Sequence, residues 1–200
     1  MRLFVALYPP PEAVDHLHAQ VARLRVGEAA ADGVGVRVAD GVGVRVADAA
    51  QAHVTLAFLA AVPTEQLMAV EGSLDQVARW SRDSWPAPPR LRLGGGGTFG
   101  QGRSTVLWVG LRGDLAELTE LGQVVRSRLR ANRLPYDEKP WHPHLTVARP
   151  GDRLPPADVA ADVAALDAYG GPQWPARELV LTRSHPGHRP THDRLAAWPL

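Results

Sequence analysis

The segments His53-Val54-Thr55-Leu56 and His144-Leu145-Thr146-Val147 share one pattern, a histidine and a threonine two positions apart followed by an aliphatic residue. Each begins an apolar run typical of a buried strand, over residues 53–59 and 144–148. Side chains alternate between the two faces of a strand, so the histidine and the threonine of each motif point the same way. Two such strands facing each other would place two imidazoles and two hydroxyls in one cleft.

A single His-x-Thr triplet has little weight. With 8 histidines in 200 residues and a similar number of threonines, about 0.3 copies are expected by chance. Either histidine alone is more simply explained as a hydrogen-bonded core residue. Two copies, each in a strand-like run, favour a paired site. We therefore take His53 and His144 as candidate catalytic residues, and Thr55 and Thr146 as candidate phosphate-binding residues.

Composition narrows the class of protein. The formal net charge of +1 argues against broad electrostatic binding of duplex nucleic acid but leaves room for a small or single-stranded substrate. The absence of cysteine excludes disulfides, thiolate zinc sites and cysteine nucleophiles, and is compatible with a reducing cytoplasm. The apolar run at the N-terminus is too short for a signal peptide, and no stretch reaches the length of a membrane span. We predict a cytoplasmic monomer with no membrane partner.

Hydrophobic periodicity predicts alternating strands and helices. Thr64 is the expected N-cap of the helix after the first motif, and Asp114 with Glu117 resembles a capping box. The glycines at 94–97, with Thr98-Phe99-Gly100, predict a flexible surface loop. The predicted elements are strands at 3–8, 53–59, 90–93, 105–111, 144–148 and 178–182, helices from residue 12, from 63–65, from 114 and over 158–166, a connector at 81–89 and a tail at 184–200.

The spacing of the motifs predicts the architecture. His53 and His144 stand 91 positions apart (144 − 53), close to half of the chain. Two similar halves related by a pseudo-twofold axis would explain this spacing. The elements do not follow a strict βαβ alternation, so we predict an α+β fold with mostly antiparallel sheets flanked by helices. The length of 200 residues suits one domain, or two small lobes that share a core.

A perfect tandem copy precedes the first motif. The octapeptide at 32–39 is repeated without change at 40–47. Such an exact and short copy indicates a recent duplication within the domain rather than an architectural repeat. We predict that the second copy, which adjoins the His53 strand along the chain, takes the normal strand position, with a hairpin turn at Asp40-Gly41. The first copy would then be an extension or a mobile loop.

Paired histidines suit general acid–base catalysis, because imidazole titrates near neutral pH. Metal-independent cleavage of a phosphodiester needs one group to deprotonate the nucleophile and another to protonate the leaving oxygen. Thr55 and Thr146 are placed to donate hydrogen bonds to the phosphoryl oxygens. Arg149, five residues after His144, is a further candidate for pairing with the phosphate. An ordinary solvated arginine is the alternative for that residue.

These residues resemble the two-histidine (HxTx) phosphoesterase superfamily, and most closely its bacterial and archaeal RNA 2′,3′-cyclic phosphodiesterases, the "2′-5′ RNA ligase" family. The resemblance covers nearly the whole chain. Besides the two motifs, it includes the opening strand Leu3-Phe4-Val5-Ala6-Leu7, the middle region with Phe99 and Val106-Leu107-Trp108-Val109-Gly110, the stretch Pro143 to Arg149, and the ending from Leu179 to Leu200.

The resemblance implies that residues 1–200 form a single two-lobed α+β domain with the catalytic cleft between the lobes. It also implies hydrolysis of an RNA 2′,3′-cyclic phosphate end, or of a related small cyclic nucleotide, to a 2′-phosphomonoester. It implies that His53 protonates the departing 3′ oxygen and His144 activates water, while Thr55 and Thr146 bind the phosphate. No metal and no cofactor are required. The sequence departs from the family at the duplication and at Thr191-His192, where relatives often carry a tyrosine.

Two other functions are compatible with the residues. A non-catalytic module that binds RNA ends or nucleotides could use Phe99, Trp108 or Trp141 as a stacking platform, although a core position is the simpler interpretation of each aromatic. A metal-dependent hydrolase could use His142 and His144 or the tail histidines His185, His188 and His192. However, the chain has no His-Glu-x-x-His helix.

Overall fold

A computed structural model describes residues 1–32, 43–187 and 191–200. These residues form nine strands and five helices. The strands are β1 Leu3–Leu7, β2 Arg45–Val46, β3 Val54–Leu59, β4 Arg90–Phe99, β5 Val106–Gly113, β6 Leu145–Arg149, β7 Trp174–Pro175, β8 Glu178–His185 and β9 Thr191–Pro199. The helices are α1 Pro11–Val21, α2 Arg25–Ala31, α3 Leu67–Ser84, α4 Leu115–Ala131 and α5 Pro156–Ala168. None of the helices in the described ranges is long and apolar enough to cross a membrane.

The strands form two antiparallel sheets, one for each motif. The four-stranded sheet has the order β3-β1-β8-β9, and the five-stranded sheet has the order β2-β6-β5-β4-β7. The motif strand β3 pairs with β1, and the motif strand β6 pairs with β5. Each motif strand therefore lies beside an inner strand of its own sheet. The predicted α+β fold with antiparallel sheets is confirmed.

The helices cover the sheets with the apolar faces that the sequence predicted. Helices α3 and α4 pack against each other and contact the four-stranded sheet, while α5 packs on β4 and β5 of the other sheet. The inward residues of α4 are fully buried, and burying one leucine contributes about 1.5–3 kcal/mol. These residues are Leu118, Leu121, Val125 and Leu129.

The glycine run is a strand and not the predicted loop. Strand β4 continues from Arg90 to Phe99 through all four glycines. A side chain at Gly97 would place its Cβ 2.1 Å from the Trp108 ring, and one at Gly96 would place it 2.3 Å from the Val163 carbonyl oxygen. The glycines therefore allow β5 and α5 to pack closely against this strand. Gly95 has a φ of 89°, and the register with β5 shifts between Leu93 and Gly96.

Two predicted helix starts use other contacts. Thr64 is not an N-cap, because a 3₁₀ turn over Thr64–Gln66 precedes α3, whose N-cap residue is Gln66. Asp114 is the N-cap residue of α4 but makes no side-chain capping bond. Its carboxylate instead accepts a hydrogen bond from the backbone N–H of Arg90, at 2.8 Å. The 3₁₀ turn before α3 and the position of Arg90 beside the start of α4 account for these two differences from the prediction.

Helix α2 was not anticipated by the sequence. Leu24 at its N-cap has no side chain that could cap it, and the cap comes from elsewhere in the chain. The buried carboxylate of Asp162, on α5, accepts hydrogen bonds from the backbone N–H groups of Arg25 and Val26, at 2.8 and 2.9 Å. A negative charge at a helix N-terminus is favourable. This long-range cap is invisible to local pattern analysis.

The duplicated segment enters the fold through its second copy. Val44 is buried, and Arg45–Val46 form β2, which pairs antiparallel with β6. This confirms the strand prediction for the end of the second copy. The predicted turn at Asp40-Gly41, and all of the first copy except Asp32, lie outside the described residues.

Two further segments differ from the prediction. The connector begins at Trp85 and not at residue 81, because α3 extends to Ser84 with Ser81 buried on its inner face. The tail at 184–200, to which the sequence assigned no element, contains a strand, because residues 191–199 form β9. This strand pairs with β8 from Glu178↔Pro199 to His185↔Thr191. The exposed positions along most of β9 hide its strand character from a hydrophobicity analysis.

Candidate active site

The two motifs line one cleft. His53 and His144 directly precede β3 and β6, and both side chains line a cavity of about 650 Å³ together with Thr55 and Thr146. Arg149, at the end of β6, is exposed and lines the same cavity. The structure therefore brings together all five candidate residues that the sequence identified.

Each motif histidine is held by a backbone carbonyl two residues before it. His53 Nδ1 lies 2.6 Å from the carbonyl oxygen of Gln51, and His144 Nδ1 lies 2.7 Å from that of His142. A carbonyl oxygen only accepts, so Nδ1–H must donate in both rings. In the neutral ring the lone pair is then on Nε2. Both imidazoles thus present Nε2 as the atom available for proton transfer.

Local structure explains the orientation of the Gln51 carbonyl. A 3₁₀ turn at Ala49–Gln51 follows Asp48, whose side chain accepts a hydrogen bond from the N–H of Ala50 at 2.9 Å. This cap fixes the turn that ends beside His53. On the other side of the cleft, His142 precedes Pro143, which disfavours helical backbone at His142.

Aromatic rings from neighbouring strands pack against both histidines. The ring of Phe4, on β1, stacks on His53 with centroids 4.6 Å apart and an interplanar angle of 26°. The ring of Phe99, on β4, meets His144 edge to face at 4.8 Å. These contacts restrict the rotation of both imidazoles and remove water from one side of each ring. Pre-positioned proton-transfer groups are what acid–base catalysis requires.

Burial favours the neutral form of both imidazoles. Desolvation is the main cause that lowers the pKa of His53 to about 4, and the hydrogen bond to Gln51 offsets it only in part. Desolvation is also the main cause that lowers the pKa of His144; the hydrogen bond to the His142 carbonyl opposes it in part, and the charge of the His142 ring lowers the pKa further. The charge of His144 also lowers the pKa of His53. Such shifts in a cleft are typical of catalytic groups.

Three residues of the cleft were not identified as site residues from the sequence. Arg45, in the second repeat copy, pairs across the strands with Arg149, and both line the cavity. Gln51 contributes its carbonyl to His53. His192, on β9, lies with its ring centroid 5.0 Å from that of His53. Arg45 carried no motif signal, and His192 was considered only as a departure from the family tyrosine and as one of the tail histidines of the metal-dependent alternative.

The aromatic residues considered for base stacking have different positions. Phe99 is 38% exposed and lies beside His144. Trp108 is half-buried under Phe99, with ring centroids 5.3 Å apart. Trp141 is half-buried and donates its indole N–H to the carbonyl oxygen of Thr55 at 2.8 Å. Phe99 is therefore the candidate platform, while Trp141 holds the edge of β3.

The histidines considered as metal ligands are dispersed. The ring centroids of His142 and His144 are 6.4 Å apart. His185 pairs with Asp193, at 2.6 Å between Nε2 and Oδ2. Over residues 1–32, 43–187 and 191–200, no group of three histidine, aspartate or glutamate side chains has a geometry that could hold a metal ion. His188 lies outside these ranges.

A family model with the description "2′-5′ RNA ligase superfamily" matches residues 9–188. The chain belongs to this superfamily. The match includes both motifs and the strands that hold them, so the family resemblance seen in the sequence is confirmed.

Individual relatives agree with this assignment. The chain is 32% identical over 151 residues to an RNA 2′,3′-cyclic phosphodiesterase of Geobacillus stearothermophilus, a match that covers 74% of the chain and only 45% of that relative. The crystal structure of a Thermus thermophilus protein has a TM-score of 0.70 at 23% identity, covering 100% of this chain and 98% of the other. Escherichia coli LigT with 3′-AMP gives 0.69 at 23% identity, covering 100% and 97%. These structures share the fold of this superfamily member.

Proposed function

We propose that residues 1–200 act as a single two-lobed enzyme, a metal-independent hydrolase that opens RNA 2′,3′-cyclic phosphates to 2′-phosphomonoesters. The observation that carries this proposal is the matched pair of histidines. Each has Nδ1 bound to the carbonyl two residues earlier and presents Nε2 to a cleft that also contains the two motif threonines. The named activity of the Geobacillus stearothermophilus relative supports the choice of substrate.

The reaction needs one proton acceptor and one proton donor. His144 Nε2 accepts a proton from water, and the water oxygen forms a bond to phosphorus. The bond between phosphorus and the 3′ oxygen breaks, and protonated His53 gives its Nε2 proton to that oxygen. The phosphate stays on the 2′ oxygen. His53 is then neutral and His144 is charged, and proton exchange with solvent restores the starting state.

The substrate supplies part of the electrostatics. In the ligand-free protein, burial keeps both imidazoles neutral at pH 7, with the pKa of His53 at about 4. A cyclic phosphate carries a negative charge, and an anion within a few ångströms raises the pKa of an imidazole. Substrate binding therefore favours the protonation of one histidine of the pair.

The cleft also contains groups for the phosphoryl oxygens. Thr55 and Thr146 are half-buried on the same faces as the histidines, and their hydroxyls can donate to the oxygens where negative charge develops. Arg149 adds a permanent positive charge at the rim, with Arg45 beside it. Opposed like charges destabilise a strand pair, and a bound anion would relieve this repulsion. We propose RNA with a cyclic phosphate end, or a small cyclic nucleotide, as the ligand of a cytoplasmic monomer.

A substrate with sulfur in place of the 3′ oxygen tests the roles of the histidines. We expect His53→Asn and His144→Asn each to lower kcat for a defined RNA 2′,3′-cyclic phosphate by roughly 10²- to 10⁴-fold. A thiolate leaves without needing the acid, so the sulfur substrate should restore His53→Asn and not His144→Asn. His18→Asn, a substitution on α1 outside the cleft, is the matched control. Rescue of His144→Asn instead would reverse the roles, and full activity of both variants would contradict the mechanism.

Two further measurements separate this proposal from the alternatives. Excess chelator should leave the rate unchanged, whereas loss of activity and recovery with zinc would indicate a metal-dependent hydrolase. The exposed ring of Phe99 beside His144 is the observation that favours a binding module. Tight binding of the cyclic-phosphate RNA without formation of any 2′-phosphate would support that module and contradict the enzyme.

A further inference from the structure

A third histidine lies at the cleft, and the mechanism above does not use it. His192 is half-buried on β9, opposite Ser184 of β8, and lines the same cavity as His53 and His144. Its ring meets His53 edge to face, with centroids 5.0 Å apart and an angle of 82°. The centroid of its ring also lies 4.9 Å from that of the Phe4 ring. His192 therefore belongs to the aromatic cluster that positions His53.

The two nitrogens of His192 have different surroundings. Nδ1 is buried and has no hydrogen-bond partner among the described residues. Because the ring lines the cavity while Nδ1 is enclosed, Nε2 is the nitrogen that faces the cleft. This differs from His53 and His144, whose Nδ1 atoms donate to carbonyl oxygens.

The protonation state follows from this environment. Desolvation lowers the pKa of His192, and the nearby His185 contributes in the same direction. At pH 7 the ring is therefore neutral and carries a single N–H. A buried N–H without a partner costs about 1–3 kcal/mol, and orphaned buried N–H groups are rare in proteins. The proton is thus favoured on Nε2.

We propose that His192 is a substrate-binding residue, a neutral hydrogen-bond donor that presents Nε2–H to the phosphate held beside His53. The identity of the phosphate as an RNA cyclic phosphate rests on the proposed function, while the donor role requires only an anionic oxygen in the cleft. A phosphate oxygen is an acceptor only, so an N–H facing it binds, whereas a nitrogen lone pair would repel it. The donor would stabilise the negative charge that develops on the phosphoryl oxygens.

The three imidazoles then divide into two chemical types. His53 and His144 present Nε2 as a site that gains and loses a proton, while His192 presents a proton that stays on the ring. A third proton-transfer group would compete with the pair for the same water and the same leaving oxygen. A fixed neutral donor adds binding without this competition.

Nitrogen-15 NMR of the wild-type protein tests the tautomer directly. Two-bond proton–nitrogen spectra of the imidazoles at pH 7.5 should show Nε2–H for His192 and Nδ1–H for His53 and His144. Addition of inorganic phosphate should move the His192 Nε2 and Nε2–H signals. Assignment of Nδ1–H to His192, or signals that phosphate does not move, would overturn the proposal. This measurement requires no variant and no turnover.

Substitutions test the consequence for binding and rate. His192→Phe keeps the aromatic packing and removes the donor, whereas His192→Tyr returns a hydroxyl donor. We expect His192→Phe to lower kcat/KM for the cyclic-phosphate RNA by roughly 10- to 100-fold, and His192→Tyr to recover most of this loss. Catalysis by one acid and one base predicts a bell-shaped pH–rate profile, and both of its limbs should persist in His192→Phe. His18→Gln, on α1 and outside the cavity lining, should retain wild-type activity.

The outcomes separate the donor role from its rivals and from the proposed function. Unchanged kcat/KM in His192→Phe would make the residue a packing element only, and loss of one limb of the pH profile would make it a proton-transfer group. Equal loss in the tyrosine variant would also contradict the donor role. If the wild-type protein hydrolyses no cyclic phosphate, the proposed function fails, while weaker inorganic phosphate binding in His192→Phe than in His18→Gln would still support the donor.

Discussion

His53 is subject to two opposite demands on its charge. Burial against Phe4 lowers its pKa to about 4, while its proposed role as an acid requires a proton on Nε2. The carbonyl of Gln51 resolves part of this conflict, because Nδ1–H can donate to it whether the ring is neutral or charged. The remaining difference must come from the substrate. This makes the protonation of His53 dependent on an occupied cleft.

The protonation of His53 should therefore respond to an anion in the cleft. An NMR titration of the ligand-free protein should give a pKa for His53 near 4, and inorganic phosphate should raise it because the anion stabilises the imidazolium. The imidazole NMR signals of His18, which lies on α1 outside the cleft, should not move when phosphate is added. A pKa for His53 that is insensitive to saturating phosphate would contradict the binding of the anion beside this ring.

His53 should also make the folding stability of the protein depend on pH. Because the folded pKa of His53 lies below the unfolded value of 6.5, the unfolded state binds its proton first as the pH falls. The contribution of the neutral buried ring is present above pH 6.5 and is lost between 6.5 and about 4. His53→Gln should flatten the loss of Tm across this window, as measured by thermal unfolding at a series of pH values. An unchanged slope would show that other groups determine it.

The site residues differ in how far sequence could predict them. His53, Thr55, His144 and Thr146 followed from the alternation of side chains along a strand, which is a local rule. His192 reaches the cleft only because β9 pairs with β8 and β8 pairs with β1. Arg45 reaches it only through the pairing of β2 with β6. Such neighbours depend on long-range pairing, and no local period encodes them.

At the level of elements, β4 shows why composition misled the prediction. Glycine is common in loops because of its conformational freedom, but here the missing side chains make room for neighbours. Strand β5 and helix α5 lie so close to Gly96 and Gly97 that a Cβ at either position would overlap other atoms. For helix α4 the prediction was correct, because its inward leucine and valine residues have a clear helical period.

Alanine substitutions test the close packing of β4. Gly96→Ala should lower the free energy of unfolding by about 1–3 kcal/mol or more, since the new Cβ would lie 2.3 Å from the Val163 carbonyl oxygen. Gly72→Ala on α3 is the matched control, because no atom lies within 4 Å of its Cβ position. That change should stabilise the protein by about 0.5–1 kcal/mol. Chemical denaturation measures both, and equal effects would contradict the packing role.

At the level of the whole molecule, the two sheets hold their motif histidines in the same way. In each half a motif strand lies beside an inner strand, and a histidine before the motif strand binds the carbonyl two residues earlier. The half-chain spacing of the motifs predicted two similar halves; in the structure each antiparallel sheet contains one motif strand, and the four-stranded sheet combines strands from both ends of the chain. The surroundings are not equivalent, since His53 lies beside Phe4 and His192 while His144 lies beside Phe99 and His142. This asymmetry suits two histidines with opposite roles in proton transfer.

The tandem octapeptide provides a test that involves the whole chain. Because residues 32–39 and 40–47 are identical, removal of either copy produces the same protein. The single remaining copy supplies Val44 for the core, Arg45 for the rim and β2 for pairing with β6. We therefore expect the shortened chain to fold, with a Tm within a few degrees of the full-length protein and the same kcat/KM for a cyclic-phosphate RNA.

The control for this deletion removes the pairing and keeps the length. Val46→Pro in the full-length chain places a proline in β2, where it removes a backbone donor and disfavours the strand. We expect it to weaken substrate binding more than the deletion does, because β2 positions Arg45 opposite Arg149. Circular dichroism compares the folding of the two proteins, and steady-state kinetics compares their substrate binding. A deletion that abolished activity while Val46→Pro left it intact would show that the extra copy, and not β2, is what the cleft requires.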